Sequence, residues 1–402
     1  MRMSTRLERA TLREEYGAAG LPSPVEGMQT LSRVAGSYGP GLINLTIMTE
    51  QTPPPVVRIA AAQQALAGGY LKNDLAVRKK ICAFFEKERG VCFDPKTEVS
   101  LTTGSQTGLD SAFKLLIEDG DEVLMVEPEY ATYEPMIHFY GGTAKTVPLL
   151  FDGLRWSFDR KAFARAFTDR TKLVLLSNPN NPVGYVYKDE ELAEIARLVK
   201  EHGCWLLSDE IWSTLILDKD GAFRSMGVWE DVRDRLVVLF SASKTFGMSG
   251  YRTGAIFGPA EFIAEVNHVL RFVIQAAPTI GQVAFARALD LDETGPWVQQ
   301  RIETIRKRAA WAVEKMSATG RLPCSIPASG VFLFPRVGGC GLSSLDFAVR
   351  LVEEKSVFVL PGYFYGRRSD EFVRISMSVP EADYRVGMER FFEFVEGVTP
   401  SK

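Results

Sequence analysis

The sequence has few cysteines and few histidines, and neither residue type forms a metal-binding pattern. The five cysteines are odd in number, and the closest two lie ten residues apart. This spacing differs from a disulfide framework and from the paired CxxC ligands of metal sites. The three histidines are scattered and include no HExxH zinc motif. We therefore expect reduced, mostly buried cysteines and no bound metal.

Long apolar runs and an excess of one charge are also lacking. The apolar runs are short, as at Leu236–Phe240, whereas a membrane-spanning helix needs about 20 such residues. Residues 1–20 carry several charges and no apolar stretch of the secretory type. With 47 basic and 50 acidic residues, the net charge of −3 gives no broad attraction to nucleic acid or anionic membranes. These observations predict a cytoplasmic protein that binds neither nucleic acid nor membranes. They remain consistent with binding of a small charged ligand.

Apolar residues make up 46% of the chain, which is enough for a large core. The 402 residues predict two structural units, because single cores stop growing at roughly 250–300 residues. Between about residues 98 and 258, short β-branched runs alternate with helical patterns, which predicts an α/β fold with a mostly parallel sheet covered by helices. A helix is predicted at 189–202, and strands are predicted at 98–103, 122–127, 172–177, 204–209, 236–241 and 253–258.

The region after residue 280 has a different pattern. Helices are predicted at 297–317, 344–355 and 381–396, and strands at 331–335 and 372–376. This mixture predicts a second, smaller α+β domain. The segment 36–55 is rich in Gly, Pro and Thr, and it predicts a linker that joins an N-terminal arm to the large domain.

Polar residues follow several predicted strands, where ligands of parallel sheets bind. Gly104-Ser105-Gln106 opens a helix after the first strand, so its backbone N–H groups suit a phosphate, although a plain turn is the alternative. Asp209 ends another strand, where a helix cap is equally consistent. Lys244 follows Leu236–Ser241 among small and apolar residues, where desolvation would lower its pKa toward Schiff-base chemistry, although a lone lysine is usually a solvated surface residue. Because Asn, Asp, Lys and Arg follow in order at strand ends, we favour a functional interpretation.

The sequence resembles the class I/II aminotransferases, which belong to the fold-type I pyridoxal-phosphate-dependent enzymes. The resemblance covers most of residues 30–396 and rests on NPNNPVG at 178–184, SDEI at 208–211, SASK at 241–244, Arg252 eight residues after Lys244, and FVRIS at 372–376. It implies an α/β fold whose mostly parallel, seven-stranded sheet is flanked by helices. It further implies a large domain at 49–285, a smaller α+β domain at 286–402, and an N-terminal arm and linker at 1–48 that pack with the small domain.

The resemblance also implies an activity, a cofactor and the residues that serve them. The activity is transfer of an amino group from an L-amino acid to a 2-oxo acid, with pyridoxal 5'-phosphate held as an internal aldimine on Lys244. Asp209 pairs with the pyridine nitrogen, Asn181 bonds the ring 3-hydroxyl beside the substrate, and Tyr130 stacks on the ring as a catalytic aromatic. Arg374 binds the substrate α-carboxylate. The phosphate site comprises Gly104, Ser105, Gln106, Ser241 and Arg252, with Tyr70 contributed across the interface of a homodimer.

Two positions depart from the pattern of the family. Trp212 stands where most relatives have a tyrosine near the cofactor, and Met48 stands near the substrate where relatives have a glycine, with Glu50 soon after. Tryptophan or histidine at the first position also occurs in carbon–sulfur β-lyases of the cystathionine β-lyase type, so that activity is the alternative. A non-catalytic pyridoxal-phosphate sensor is disfavoured, because the chain has no spare DNA-binding segment.

Overall fold

The computed structural model describes residues 4–48, 52–219 and 221–398. The boundary expected at residue 49 lies outside these residues, so the division into an arm and two domains stays a prediction. The helices of the described residues are α1 (Thr5–Arg9), α2 (Arg13–Ala18), α3 (Pro24–Gly36), α4 (Pro55–Ala67), α5 (Leu75–Arg89), α6 (Ser105–Leu116), α7 (Tyr133–Phe139), α8 (Arg160–Arg165), α9 (Asp189–His202), α10 (Ala242–Thr245), α11 (Ala260–Val273), α12 (Thr279–Ala288), α13 (Leu291–Ala318), α14 (Ser344–Lys355) and α15 (Glu381–Gly397).

A seven-stranded sheet forms the centre of the molecule, which confirms the predicted fold class. Its strand order is β2-β10-β9-β8-β7-β3-β4, and only β10 runs antiparallel to its neighbours. No strand was predicted at β4, which lies at the edge of the sheet and is only partly buried. The strands of this sheet are β2 (Val99–Thr102), β3 (Glu122–Glu127), β4 (Thr143–Pro148), β7 (Thr171–Ser177), β8 (Trp205–Asp209), β9 (Leu236–Ser241) and β10 (Gly254–Phe257).

Local sequence explains why the flanking helices begin and end where they do. The Asp74 side chain accepts a hydrogen bond from the Val77 backbone N–H at the start of α5, and it thereby satisfies one free donor of the first turn. Helices α5 and α9 end at Gly90 and Gly203, which adopt the left-handed conformation that glycine tolerates. The helix predicted at 189–202 is confirmed as α9.

The C-terminal part builds a smaller sheet with the order β11-β14-β13. Strand β1, which lies within the predicted linker at 36–55, pairs in parallel with β12. Helix α13 begins at Leu291 rather than at the predicted 297, and Pro296 lies inside it, where the missing N–H removes one hydrogen bond of the helix. The remaining strands are β1 (Ile43–Asn44), β5 (Leu150–Phe151), β6 (Trp156–Ser157), β11 (Phe332–Leu333), β12 (Val357–Phe358), β13 (Leu360–Pro361) and β14 (Val373–Ser376).

The described residues contain no helix that is long and apolar enough to cross a membrane. They also bring together no group of three or more His, Cys, Asp or Glu side chains able to hold a metal ion. Strands β7, β8 and β9 are parallel neighbours, so the residues that follow them meet at one edge of the sheet.

Candidate active site

A cavity of about 400 Å³ opens at this edge of the sheet. It collects nearly all of the site residues expected from the sequence, although they come from distant parts of the chain. Those that line it are Met48, Gly104, Ser105, Gln106, Tyr130, Asn181, Asp209, Trp212, Ser241, Lys244, Arg252 and Arg374. Residues not anticipated from the sequence also line it, namely Ile47, Leu109, Tyr133, Ser177, Ile211, Ser243, Ser249 and Phe332.

One end of the cavity is suited to an anion. Helix α6 begins there at Ser105, and its N-cap Gly104, with a φ of +78° and no side chain, lines the cavity together with the first helical residues. A Cβ atom at Gly104 would lie 2.7 Å from Arg252 Nη2, so a larger residue would displace this guanidinium group. Arg252 itself has a φ of +51° and donates through Nη1 to the Ser249 carbonyl at 2.9 Å. Strained backbone of this kind is concentrated at functional sites.

Asp209 supplies the buried anion of the site. Its Oδ2 accepts a hydrogen bond from the Tyr133 hydroxyl at 2.7 Å, and its Oδ1 accepts from the Ile211 N–H at 3.2 Å. Burial raises the pKa of Asp209 to about 6, while the Tyr133 hydroxyl, the Ile211 amide and the charge of Lys244 act in the opposite direction. The carboxylate is therefore held in place and is basic enough to pair with a cation.

Lys244 lies on the single turn α10, directly after β9. Burial, and after it the nearby charge of Arg374, lower the pKa of its amine to about 8, while the charge of Asp209 acts in the opposite direction. Its Nζ lies 5.4 Å from the centre of the Trp212 ring. At neutral pH about a tenth of the amine is thus neutral and nucleophilic.

Arg374 reaches the cavity from β14 and is held on several sides. Its Nη2 donates to the Thr46 carbonyl at 2.7 Å, and Nη1 donates to Asn181 Oδ1 at 3.3 Å. The guanidinium carbon lies 3.9 Å from the centre of the Phe332 ring and 4.9 Å from that of Tyr365. Among the described residues its Nε has no hydrogen-bond partner although it is buried. A donor of this kind suits an anionic ligand that the protein itself does not supply.

Trp212 is the main departure from the expected pattern, and it is fully enclosed. Its ring packs edge-on against Phe332 with the ring centres 5.6 Å apart, and its side chain is 2% exposed. Its indole N–H has no acceptor among the described residues. Met48 also lines the cavity and is buried, whereas Glu50 lies outside the described residues.

Tyr70 is the one expected site residue that the chain does not bring to its own cavity. Its side chain is 65% exposed. The next residue, Leu71, is anchored to the start of α12, because its N–H donates to Thr279 Oγ1 at 3.0 Å and its carbonyl accepts from Gln282 at 2.9 Å. Tyr70 is therefore held on the surface, where another molecule can meet it.

The most informative residue that the sequence did not identify is Tyr133. It lies three residues after Tyr130, and the two rings pack edge-on with their centres 5.3 Å apart. A tyrosine in the first turn of a helix is an ordinary core residue, so no sequence signal distinguishes it. Its hydrogen bond to Asp209 gives it a direct connection to the site.

The donor set of the cavity suits one kind of cofactor. It offers N–H groups and Arg252 for a phosphate, the Asp209 carboxylate for a protonated ring nitrogen, and the Lys244 amine for a carbonyl carbon. Tyr130 lines the same space and has an aromatic face. Pyridoxal 5'-phosphate contains each of these groups, so the residues present fit it.

Comparison with known proteins agrees with this geometry. Residues 44–391 match the family model described as aminotransferase class I and II. A probable N-acetyl-LL-diaminopimelate aminotransferase of Bacillus subtilis is 28% identical over 92% of this chain and 93% of its own length. A structure of Thermus thermophilus aspartate aminotransferase is similar with a TM-score of 0.86 at 28% identity, covering 98% of this chain and all of that one. N-succinyldiaminopimelate aminotransferase from Mycobacterium tuberculosis is similar with a TM-score of 0.84 at 26% identity, over 98% and 100% of the two chains.

Proposed function

The chain belongs to the aminotransferase class I and II family and is an aminotransferase, and from this premise we propose that it transfers an amino group from an L-amino acid to a 2-oxo acid with pyridoxal 5'-phosphate as cofactor. Enzymes of this family typically depend on that cofactor. The observation that carries the proposal is the meeting of Lys244, Asp209 and Arg374 around one cavity that also contains an anion site.

The residues proposed to hold the cofactor divide by the group they contact. The N-terminal N–H groups of α6, Ser241 and Arg252 hold the phosphate, and Tyr130 covers one face of the ring. Asn181 turns its oxygen toward Arg374, so its amide N–H₂ is left to donate to the ring oxygen. When bound, the cofactor supplies an electron sink for the pair released from the substrate Cα–H bond.

Asp209 and Lys244 have different tasks in the chemical step. Asp209 stays anionic beside the ring nitrogen and favours its protonated form, because the Tyr133 hydroxyl and the Ile211 N–H stabilise the carboxylate. Lys244 holds the cofactor before the substrate arrives. Its amine, with a pKa of about 8, then takes a proton from the substrate α-carbon and returns it to a neighbouring carbon.

Arg374 orients the substrate through its α-carboxylate. The contacts with Thr46 and Asn181 and the packing on Phe332 fix the plane of the guanidinium before any substrate binds. A fixed fork gives two parallel hydrogen bonds to a carboxylate. Both the amino acid and the 2-oxo acid carry this group, so one residue serves both halves of the reaction.

We infer that the active form is a homodimer in which Tyr70 completes the phosphate site of the partner subunit. Tyr70 is 65% exposed, and two further large apolar side chains, Leu66 on α4 and Phe272 on α11, are 90% and 86% exposed. Where such side chains form one contiguous patch, they mark an interaction surface. A second copy of this chain accounts for both the surface and the position of Tyr70.

Neither the residues lining the cavity nor the names of the relatives identify the amino donor. Among the described residues lining the cavity, Lys244, Arg252 and Arg374 are the cations, and each already has a role. The relatives are named for aspartate, for aromatic amino acids and for acylated diaminopimelates. The donors to be tested therefore include these classes.

Because Trp212 replaces the tyrosine of most relatives, carbon–sulfur β-lyase activity is the second candidate function. Its indole supplies one N–H donor and no acceptor, unlike the tyrosine hydroxyl of most relatives. Both candidates use Lys244, Asp209 and Arg374, so the products must separate them.

The test combines product analysis with mapping of the modified lysine. The purified protein, loaded with pyridoxal phosphate, is incubated with a panel of amino acids and a 2-oxo acid acceptor, and with cystathionine. New amino acid formed from the acceptor supports the proposal, whereas ammonia with sulfide or thiol and no aminated acceptor supports the lyase. Borohydride reduction and peptide mapping should label Lys244, and Lys244→Ala should remove the label. A label at another lysine would contradict the cofactor assignment.

A further inference from the structure

Arg301, on the long helix α13, connects two separate parts of the active site. Its Nη1 donates to the backbone carbonyls of Lys244 at 2.8 Å and Thr245 at 3.2 Å. Its Nη2 donates to Ser378 Oγ at 3.2 Å. Ser378 follows β14, the strand that carries Arg374, and its N–H donates to Ser376 Oγ at 3.2 Å. One guanidinium group therefore joins the Lys244 segment to the end of the Arg374 strand.

We propose that Arg301 is a positioning residue, which holds the backbone of Lys244 at a fixed place relative to the strand that carries Arg374. The inference rests on the roles proposed above for these two residues. Neither the sequence motifs nor the residues lining the cavity include Arg301, whose guanidinium contacts the carbonyls of Lys244 and Thr245 and the side chain of Ser378 outside the cavity lining.

Helix α10 has particular need of such a contact. It is a single turn of four residues, so its last carbonyl groups lack partners within the helix. Arg301 donates to two of them from one planar group, which also restricts the direction in which the turn can move. The side chain of Lys244 starts from this turn, so a shift of the turn moves its amine as well.

Distance and direction matter because the Lys244 amine must reach both the cofactor and the substrate α-carbon. A displacement of about 1 Å at a reacting group can lower the rate about a hundredfold. Arg374 fixes the substrate from the other side through its α-carboxylate. A connection between the Lys244 segment and the strand that carries Arg374 therefore keeps the amine in line with the bound substrate.

The charge of Arg301 has a second effect on the same lysine. Together with burial and Arg374, it lowers the pKa of the Lys244 amine, since a nearby cation disfavours the protonated form. Geometry and charge can be separated by substitution. Arg301→Lys keeps the charge and loses the fork, whereas Arg301→Met loses both.

Arg306 offers a matched control on the same helix. Its Nε donates to the backbone carbonyl of Leu217 at 2.6 Å, which is the same type of contact between α13 and a neighbouring segment. Neither Arg306 nor Leu217 lines the cavity. Arg306→Met therefore removes an anchor of α13 without touching the Lys244 segment.

The experiment compares the four proteins as cofactor-loaded enzymes. Arg301→Met should lower kcat about tenfold and raise KM for the amino donor, because the Lys244 segment and the end of the Arg374 strand both lose their contact with Arg301. It should also raise the pKa of the Lys244 nitrogen by about half a unit, measured by titrating the visible absorption of the bound cofactor with pH. Arg301→Lys should lower kcat to a lesser extent and leave this spectroscopic pKa unchanged. Arg306→Met should resemble the wild type in all three measurements.

Several results would overturn the inference. A kcat for Arg301→Met within twofold of the wild type would do so, and so would an equal loss in Arg306→Met, which would reveal a general anchoring effect. If Arg301→Met fails to fold, Arg301→Lys decides, because wild-type kcat and KM in that variant exclude a role for the fork. Borohydride labelling at Lys244 in every protein keeps the proposed function apart from this test. A label elsewhere defeats the function itself, whereas a label at Lys244 with unaltered kinetics defeats only the role of Arg301.

Discussion

Replacing Asp209 with asparagine should stabilise the cofactor-free protein while it abolishes transamination. Burial raises the pKa of Asp209 from 3.8 to about 6, so the ionised carboxylate is less stable in the folded state than in the unfolded state. The difference of about 2.2 units corresponds to about 3 kcal/mol of lost stability above pH 6, at about 1.4 kcal/mol per unit. An uncharged side chain of the same shape avoids this penalty.

The asparagine side chain recovers only part of this free energy. Its oxygen must face the Ile211 N–H, which can only donate, so its N–H₂ group faces the Tyr133 hydroxyl. Tyr133 then accepts a hydrogen bond but loses the acceptor for its own proton, which costs about 1 to 2 kcal/mol. We therefore expect Asp209→Asn to raise the free energy of unfolding by about 1 to 2 kcal/mol near neutral pH.

The dependence on pH gives the prediction its sharpest form. Below about pH 4, Asp209 is protonated in both the folded and the unfolded state, so no charge is buried on folding and the penalty is absent. Between about pH 4 and pH 6 the folded state binds more protons than the unfolded state, and wild-type stability falls as the pH rises. The advantage of Asp209→Asn over the wild type should therefore grow across this range and then level off.

The assay is urea unfolding of the cofactor-free proteins, followed by tryptophan fluorescence at several values between about pH 4.5 and pH 6.5. This range lies below the pKa of about 8 for Lys244, so the lysine stays protonated in the wild type. Glu122→Gln is the control, because hydrogen bonding to Thr168 and two neighbouring cations lower the pKa of Glu122, and its loss should destabilise the protein. A stability difference for Asp209→Asn that does not change with pH would refute the reasoning.

Three further substitutions test other contacts of the site. Tyr133→Phe removes the 2.7 Å hydrogen bond to Asp209 and should weaken cofactor binding about tenfold, measured by absorbance titration; unchanged affinity would exclude this support. Arg374→Met should lower kcat/KM about a hundredfold for the amino acid and for the 2-oxo acid alike, and a loss for only one of them would contradict a shared carboxylate site. Gly104→Ala places a Cβ 2.7 Å from Arg252 Nη2 and should weaken binding of cofactor and of inorganic phosphate, whereas Gly250→Ala, which meets nothing within 4 Å, should not.

The sequence predicted six of the seven strands of the central sheet, because these are mainly apolar and buried, whereas β4 is only partly buried. The sequence did not predict elements that form only by pairing with a segment far away in the chain. Strand β1 has two residues and exists only because it pairs with Val357–Phe358, more than 300 residues away in the chain. The start of α13 was misjudged for a local reason, since Gly295 and Pro296 oppose a helix that tertiary packing imposes.

A similar division applies to the site residues. Asn181, Asp209 and Lys244 follow neighbouring strands, so strand order alone indicates that they meet. Tyr133 and Arg301 lie 76 and 57 residues from the groups they contact, and no spacing links the members of each pair. Residues of this second kind act through other residues, and only the folded structure identifies them.

The charges around the cavity show why the site is suited to two anions. Among the described residues that line it, Lys244, Arg252 and Arg374 are cationic and Asp209 is anionic, which gives a balance of 3 − 1 = +2 between the pKa of Asp209, about 6, and that of Lys244, about 8. Burying unpaired charge is unfavourable, so the protein alone does not satisfy this site. A phosphate ester carries about −1.5 to −2 at neutral pH, and a substrate carboxylate adds one more negative charge. Under the proposed function, Arg252 would neutralise the phosphate and Arg374 the substrate carboxylate, which would leave Asp209 to pair with the ring nitrogen.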